Sequence, residues 1–390
     1  MPPAIVVEPD LQQKLAILSQ EAADEVADPP LTASIQRGIT HATGFLYNAQ
    51  RSAGGSIRLF KVLQTNACRY SCPYCFTSCA IRRRRTTFKP DELATTFVHL
   101  HRQRQAEGLF LSSGIVPDAD ATMERMLATV ERLRLRAGFR GYIHLKLIPG
   151  ARFEYIERAV ALADRVSLNL EAPNPDRLRV LAPEKEFAEA MWQRLAWARQ
   201  VIEQRRAAGL PAARSITTQF VVGAAGESDA ELLHTVAYAQ QTIQLGRSYF
   251  SAFHPIERSP FSDLPAEDPI RAARLYQAEA MLREYGFSVA ELPFDEQGNL
   301  PRDCTPKQAW AVRHLHEPVE VNTASLQQLL RVPGIGPRSA ARIIAVRRQQ
   351  CLRNLDDLRR LGVNVNWAAS FVLLDGRAAL RQLSLWPAQR

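Results

Sequence analysis

The feature that most constrains the fold of this 390-residue chain is an alternation of short and long segments between about Ser56 and Val289. The short segments are rich in β-branched and aromatic residues, and the longer ones between them have the apolar spacing of helices. Repeated strand–helix units of this kind predict an α/β fold with a parallel sheet. The predicted strands span residues 57–64, 109–112, 142–148, 165–170, 216–222 and 249–253.

Three consecutive predicted strands carry polar side chains on one face. Neighbouring residues of a strand point to opposite faces of the sheet, so every second residue shares a face. The polar positions are His144 and Lys146, then Ser167, Asn169 and Glu171, then Thr217 and Gln219. Buried polar groups need hydrogen-bond partners, which a ligand can supply. This face therefore predicts a binding cavity, unless some of these residues cap strand ends at the surface.

Three cysteines, Cys68, Cys72 and Cys75, follow the first predicted strand with a C-x3-C-x2-C spacing. A [4Fe-4S] cluster is ordinarily held by four thiolates, so a loop that gives three leaves one iron open to another ligand. Cys79 extends the series, which leaves a four-thiolate zinc site or an electron-transfer cluster as alternatives. Structural zinc sites usually pair two cysteine knuckles across a longer loop. The spacing favours the three-thiolate cluster, with Cys79 as a bystander thiol or a redox-sensitive neighbour.

Cysteine usage and hydropathy bear on the compartment. Four of the six cysteines are clustered, which suits a reducing compartment better than a disulfide framework and leaves Cys304 and Cys351 as ordinary thiols. No run of eighteen apolar residues occurs, and the N-terminal residues have neither a basic region nor an apolar core typical of a signal peptide. We expect a cytoplasmic protein that does not enter the membrane.

The positive charge of the chain is concentrated in residues 319–390. This tail has 11 arginines, no lysine and 4 acidic residues, so it carries +7 of the net charge of +9. A small basic module beside a nearly neutral body indicates an appendage that binds a polyanion. A solvated helical surface is the alternative, and charge alone does not separate the two.

Within the tail, residues 333–336 read Pro-Gly-Ile-Gly between two predicted helices. Thr323 or Ser325 can begin the first helix, and Pro337 suits the first turn of the second. Glycines permit a tight turn and expose backbone N–H groups at a helix N-terminus, where they can hold a phosphate. The pattern resembles the helix-hairpin-helix DNA-binding motif. The residues predicted to contact DNA are Gly334, Ile335, Gly336, Arg338 and Arg342.

A second, weaker hairpin is predicted at residues 361–363, where Asn364 follows in the place of a second glycine. Helix-hairpin-helix elements also serve as protein–protein scaffolds, so that reading stays open. For a DNA contact of this kind, arginines bind phosphates without reading bases.

The cysteine loop resembles the signature of the radical S-adenosylmethionine (radical SAM) superfamily. Together with the six strand–helix units and the hairpin, the chain is similar, from about Gly54 to Ala379, to a bacterial family of radical SAM proteins assigned to DNA modification or repair. The resemblance implies an open (βα)6 partial TIM barrel followed by a small all-α helix-hairpin-helix domain. The domain ranges are 1–50 for an N-terminal extension, 51–300 for the barrel, 301–318 for a linker and 319–390 for the DNA-binding domain.

The resemblance also implies roles for individual residues. Cys68, Cys72 and Cys75 would hold the [4Fe-4S] cluster, and Tyr74 would lie near the adenine of S-adenosylmethionine. Ser112, Ser113 and Gly114 stand where most members have Gly-Gly-Glu, which binds the methionyl amino group. The other positions are Asn169 and Glu171 near the ribose and methionine, and Val222, Gly223, Ser251 and Phe253 beside the adenine. Lys146 is assigned to the methionyl carboxylate from strand parity and charge.

The activity that the resemblance implies is formation of a 5′-deoxyadenosyl radical, with electrons from a flavodoxin- or ferredoxin-type donor. A target in DNA would have to be single-stranded, damaged or flipped to enter a barrel. The four arginines at 82–85 place positive charge beside the cluster loop, although a solvated loop is about as plausible. The alternatives are an RNA- or nucleotide-modifying radical enzyme, and a non-catalytic DNA-binding protein with a structural or redox-sensing cluster.

Overall fold

The computed structural model describes residues 9–22, 46–50 and 56–378. The chain divides into two compact units, one of Met1–Glu227 with Tyr238–Ala272 and one of Ser228–Ala237 with Ala273–Arg390. The second unit begins earlier along the chain than the predicted boundary near residue 300. None of the described helices is long and apolar enough to cross a membrane.

The first unit is built on a curled half-barrel sheet. In the described residues its strands are β1 (Leu46–Gln50), β2 (Ser56–Leu63), β3 (Gly108–Ser112), β4 (Tyr142–Lys146), β5 (Arg165–Ser167), β6 (Ser215–Val222) and β7 (Arg247–Ala252). They lie in sequential order, with β2 to β7 parallel and β1 antiparallel to β2 at one edge. The six predicted strands and the partial-barrel fold are confirmed, and the antiparallel edge strand is an addition.

Helices alternate with the strands along the chain, as repeated strand–helix units require. They are α1 (Leu11–Gln20), α2 (Pro90–Arg102), α3 (Ala119–Glu131), α4 (Phe153–Leu162), α5 (Pro175–Leu181), α6 (Gln193–Ala207), α7 (Asp229–Thr242) and α8 (Pro269–Glu284). Asp118 and Asn174 cap α3 and α5 with side-chain oxygens, which satisfies backbone N–H groups at the helix starts. The sequence predicts a first helix over residues 11–26; α1 ends at Gln20, and residues 23–26 lie outside the described part.

The polar residues of the strands are buried in the interior, as their alternation predicts. His144 is 2% exposed, and its Nε2 lies 2.8 Å from the hydroxyl of Ser167 on the neighbouring strand. Burial, together with the charges of Arg165, Lys146 and Lys61, holds the pKa of His144 well below its usual value. This imidazole is therefore neutral, and its contact with Ser167 joins β4 to β5 in the interior.

The second unit contains short helices and a small sheet around its own apolar core. The helices after α8 are α9 (Pro306–His314), α10 (Leu326–Arg331), α11 (Pro337–Val346), α12 (Leu355–Arg360) and α13 (Val365–Ala368), and the strands are β8 (Val319–Glu320), β9 (Val372–Leu374) and β10 (Arg377–Ala378). Leu329, Ile343 and Leu358 are fully buried in this core. Each such side chain contributes about 1.5–3 kcal/mol to stability. The three strands show that this unit is mainly helical rather than all-α.

Candidate active site

The cysteine loop leaves the carboxyl end of β2 and is fixed against the segment that follows β3. The backbone N–H of Gly114 donates to the carbonyl of Thr65 at 2.7 Å, and that of Arg69 donates to Ile115 at 2.8 Å. A Cβ atom on Gly114 would overlap the carbonyl of Ala67. Glycine is required there because the two backbone segments approach too closely for a side chain.

A single guanidinium braces the two ends of the loop. Nη1 of Arg85 donates to the carbonyls of Asn66 at 2.6 Å and Thr77 at 3.1 Å. Its Nη2 donates to the carbonyls of Ser78 at 2.5 Å and Ile81 at 2.9 Å. The acceptors lie on both sides of the three cysteines, so Arg85 holds the loop in one conformation. Arg85 is half-buried and bonded within the protein. The solvated-loop alternative for the four arginines therefore does not hold at this position.

Cys68, Cys72 and Cys75 all line one cavity of about 180 Å³ at the carboxyl ends of the strands. Cys79 is exposed, does not line this cavity, and has its sulfur 3.5 Å from the carbonyl of Arg69. Among the described residues, no three His, Cys, Asp or Glu side chains are grouped as closely as a single metal ion needs. The thiolates of a [4Fe-4S] cluster each bind a different iron, so they need not converge on one point. The donor set fits such a cluster.

Burial sets the protonation of these thiols. It raises the pKa of Cys72 to about 12 and also raises the pKa of Cys75, whose sulfur lies 3.1 Å from the hydroxyl of Thr77. Near pH 7 both thiols are therefore protonated in the absence of iron. Ligation requires thiolates, so cluster loading must release these protons.

A buried ion pair lies beside the cysteines. Nζ of Lys185 lies 3.1 Å from Oε1 of Glu171, and the two side chains are 10% and 7% exposed. Burial lowers the pKa of Lys185, but the negative charge of Glu171 and the hydrogen bond to it outweigh this effect and raise the pKa above its ordinary value. Lys185 is thus a fixed positive charge near Cys72 and Cys75.

Glu171 is held in an unusual backbone conformation. Its φ is 63°, in the left-handed region that a non-glycine residue adopts at a cost. Hydrogen bonds on both sides hold it there: its N–H donates to Gln219 at 3.0 Å and its carbonyl accepts from Val221 at 2.8 Å. Its carboxylate also accepts a hydrogen bond from Tyr74, and burial raises the pKa of that phenol well above its usual value. Tyr74 therefore stays protonated and can donate.

Most of the predicted cofactor-binding residues meet at this cavity. Those that line it are Tyr74, Ser112, Ser113, Gly114, Lys146, Asn169, Glu171, Ser251 and Phe253. Val222 and Gly223 do not: Val222 is fully buried, and the N–H of Gly223 donates to Glu227 at 2.6 Å. Val221 lines the cavity in their place, because alternate residues of β6 face opposite sides of the sheet.

Several residues that line the cavity were not predicted from the sequence, among them Tyr70, Phe76, Lys185, Val221 and His254. Parity along β6 could have found Val221, since its neighbours Thr217 and Gln219 were assigned to the inner face. Lys185 lies in the loop after α5, where no periodic pattern marks a side chain as inward. Only its spatial proximity to Glu171 identifies it.

The hairpin of the second unit lies between α10 and α11. Gly334 has a φ of +82°, and a Cβ there would overlap the carbonyl of Asn364, whose N–H donates to the Gly334 carbonyl at 3.0 Å. Gly362, with a φ of +85°, turns the chain between α12 and α13. The structure thus contains the weaker second hairpin and packs it against the first.

The hairpin N–H groups differ from the sequence expectation. The N–H of Ile335 donates to the carbonyl of Val332 at 3.2 Å, and that of Gly336 donates to the hydroxyl of Ser339 at 2.8 Å. Ile335 is 1% exposed, as expected for a residue between the helices. The protein itself therefore occupies these two donors, whereas Arg338 and Arg342 are exposed on α11.

The region that contains the cavity and the region that contains the hairpin each match the model of a known family. Residues 62–239 match the model of the radical SAM superfamily, and residues 315–363 match that of a helix-hairpin-helix motif. The chain contains a radical SAM domain. Members of this superfamily are enzymes that use a [4Fe-4S] cluster and S-adenosylmethionine. The predicted resemblance to this superfamily and the predicted C-terminal motif are confirmed. No curated protein matches the chain.

Solved structures of radical SAM proteins resemble the radical SAM domain at low identity. HydG, a maturase of the [FeFe]-hydrogenase, has 10% identity and a TM-score of 0.43, with 56% of this chain and 48% of that chain covered. Methylornithine synthase has 14% identity and a TM-score of 0.43, with 56% and 61% covered. A radical SAM methyltransferase from Sphaerobacter thermophilus has 15% identity and a TM-score of 0.43, with 68% and 85% covered. The chain spans about half the length of HydG, and similarities this weak carry no argument about substrate.

Proposed function

We propose that this protein is a radical SAM enzyme that acts on DNA. The observation that carries the proposal is the convergence of Cys68, Cys72 and Cys75 on one cavity within a domain that matches the superfamily. A [4Fe-4S] cluster held by Cys68, Cys72 and Cys75 would supply one electron for cleavage of S-adenosylmethionine into methionine and a 5′-deoxyadenosyl radical, which would take a hydrogen atom from the substrate. The protein supplies binding, orientation and electrostatics. An electron donor of the flavodoxin or ferredoxin type and a cytoplasmic location are part of the proposal.

The side chains around the cavity suit the groups of S-adenosylmethionine. Carbonyls and hydroxyls at residues 112–114 can accept from the methionyl ammonium group, in place of an acidic residue. Asn169 and Glu171 offer an amide and a carboxylate to ribose hydroxyls, and Phe253 offers an aromatic face to adenine. Lys185 joins Lys146 as a candidate for the methionyl carboxylate, because both line the cavity and each carries a positive charge.

The proposal that the substrate is DNA depends on features of the second unit. Its helix-hairpin-helix motif and its exposed arginines favour contact with a phosphate backbone without sequence choice. Because the hairpin N–H groups of Ile335 and Gly336 are used internally, we assign the phosphate contacts to the start of α11 and to Arg338 and Arg342. A nucleotide that reacts must be unpaired, since a paired base cannot reach a cavity of this size.

The test is an anaerobic assay of the full-length protein reconstituted with iron and sulfide. After reduction and addition of S-adenosylmethionine, 5′-deoxyadenosine is measured with single-stranded DNA, duplex DNA, RNA or no nucleic acid. We expect product from the wild-type protein, stimulation by DNA and no product from Cys72→Ala. Cys79→Ala is the matched control and should keep both cluster and product.

Each part of the proposal can fail separately in this assay. An intact, reducible cluster that yields no 5′-deoxyadenosine would favour a structural or sensing cluster on a DNA-binding protein. Stimulation by RNA but not by DNA would move the target to RNA.

A further inference from the structure

A groove adjoins the cavity of the first unit. Its volume is about 500 Å³, and it is lined by Phe76, Ile81, Arg82, Arg83, Pro255, Ile256, Glu257 and Arg258. These residues come from two segments, one that follows the cysteine loop and one that follows β7. Phe76 lines both the groove and the cavity, so the two spaces meet at this ring.

The charge of the groove is positive. Three arginines and one glutamate line it. Arg258 pairs with Glu257 at 3.3 Å, but their side chains are 80% and 87% exposed, and ion pairs this exposed contribute little. Arg82 is exposed as well. Two arginines are thus available to a ligand with negative charges.

Arg83 differs from the other two because it is anchored. Its guanidinium lies 5.0 Å from the centre of the Phe76 ring and 3.3 Å from the carboxylate of Glu21, which also lines the cavity. Arg83 and Phe76 thus form one contact surface that lines the groove, with the guanidinium over the aromatic ring. Proteins that bind single-stranded nucleic acid use aromatic and arginine surfaces of this kind for the bases and a positive groove for the backbone.

We propose that this groove binds a single-stranded segment of nucleic acid and leads the target nucleotide past Phe76 into the cavity. This inference rests on the proposed function and adds the route by which the substrate reaches the site. The phosphates contact Arg82 and Arg258, and the base next to the target packs on the Arg83–Phe76 surface. A concave groove that opens into the cavity fits a flexible strand better than the surface of a globular partner.

The chain offers a matched control in Arg84. It belongs to the same run of arginines and is exposed, but its Nη2 donates to Gln13 at 3.3 Å and it does not line the groove. Charge reversal at Arg84 changes the net charge of the protein as much as reversal at Arg82. A difference between the two variants therefore reports the groove and not the overall charge.

The experiment measures binding of a fluorescein-labelled single-stranded DNA 20-mer to the full-length reconstituted protein by anisotropy at several salt concentrations. Arg82→Glu, which changes the net charge as much as Arg84→Glu does, should bind at least about tenfold more weakly. The slope of log affinity against log salt should fall by about 0.7, the contribution of one phosphate contact on a single strand. Arg84→Glu should change affinity less than about threefold. The visible absorbance of the cluster shows that each variant is folded around its cofactor.

Two results would overturn the inference. One is equal binding by Arg82→Glu and Arg84→Glu. The other is unchanged DNA binding by Arg82→Glu together with slower reduction of its cluster by flavodoxin, which would make the groove a dock for an acidic protein. Failure of the proposed function shows separately, as absence of 5′-deoxyadenosine from the wild-type protein.

Discussion

The cavity of the first unit and the hairpin of the second use polar groups in opposite ways. Around the cavity, the buried carboxylate of Glu171 is bonded to both Lys185 and Tyr74, so a ligand enters a prepared polar interior. In the hairpin, the N–H groups of Ile335 and Gly336 are bonded within the protein, and exposed arginines remain for a partner. A cofactor site thus depends on buried groups that must be satisfied, whereas a polyanion surface depends on charges that solvent screens.

The largest difference between the regions should appear when one member of an ion pair is removed. Lys185→Met leaves the buried carboxylate of Glu171 without its partner, which costs about 3–5 kcal/mol. The matched control is Arg359→Met, because Arg359 and Asp356 form a pair whose side chains are 61% and 66% exposed. Its loss should cost less than about 1 kcal/mol. Urea unfolding of both variants, followed by circular dichroism, makes the comparison; similar costs would contradict it.

The brace on the cysteine loop gives the next largest effect. Arg85→Ala removes hydrogen bonds from four carbonyls, each of which is worth about 0.5–1.5 kcal/mol, so the loop should lose its fixed conformation. We expect the reconstituted iron content to fall to less than about half while the far-ultraviolet circular dichroism is kept. Arg84→Ala is the control and should retain iron. Full iron content in Arg85→Ala would show that the cluster organises the loop unaided.

The exposed arginines of α11 should have a smaller effect that depends on salt. Arg338→Glu with Arg342→Glu should weaken duplex DNA binding by about tenfold and lower the salt slope by about 1.8, at about 0.9 per phosphate contact. Point variants are preferable to truncation at residue 319, because the second unit extends back to Ala273. Anisotropy with a labelled duplex measures the change. Unchanged binding and slope would remove the hairpin from the DNA contact.

A further prediction concerns pH and the second unit. Burial, helped by the charge of Arg331, lowers the pKa of Lys307 to about 7, and Nζ donates to the Ile335 carbonyl at 2.6 Å. The unfolded lysine has a pKa of about 10.4, so between about pH 7 and 10.4 the unfolded state binds more protons. The free energy of unfolding should therefore rise with pH across this window. Lys307→Met should flatten that rise in urea titrations at pH 6.5 and 9; an equal rise in both proteins would contradict the assignment.

Local patterns in the sequence were sufficient to predict the sheet and the cluster loop. Spacing fixes Cys68, Cys72 and Cys75 within one loop, and parity along the strands placed Lys146, Asn169 and Glu171 on the inner face. The edge strand β1 was missed, because its sequence mixes polar and apolar residues without a clear alternation and its pairing with β2 decides its conformation. The short strands of the second unit were missed for the same reason.

Other features depend on contacts between distant parts of the chain. Lys185 reaches Glu171 from a loop, and Arg85 reaches carbonyls on both sides of the cysteines. No periodic pattern in the sequence predicts either contact. The hairpin glycines correctly indicated a tight turn. They did not indicate which backbone N–H groups of the hairpin the protein itself would occupy. Ser339 occupies one of them through a hydroxyl three residues away.

The central claim is that three cysteines hold a cluster whose remaining iron is open to S-adenosylmethionine. The most direct measurement is electron paramagnetic resonance of the reduced, reconstituted protein with and without S-adenosylmethionine. We predict a [4Fe-4S] signal that changes on addition of S-adenosylmethionine in the wild-type protein and in Cys79→Ala, and no cluster in Cys72→Ala. The claim would be contradicted by a signal that S-adenosylmethionine does not change. It would also be contradicted if Cys79→Ala lost the cluster as completely as Cys72→Ala.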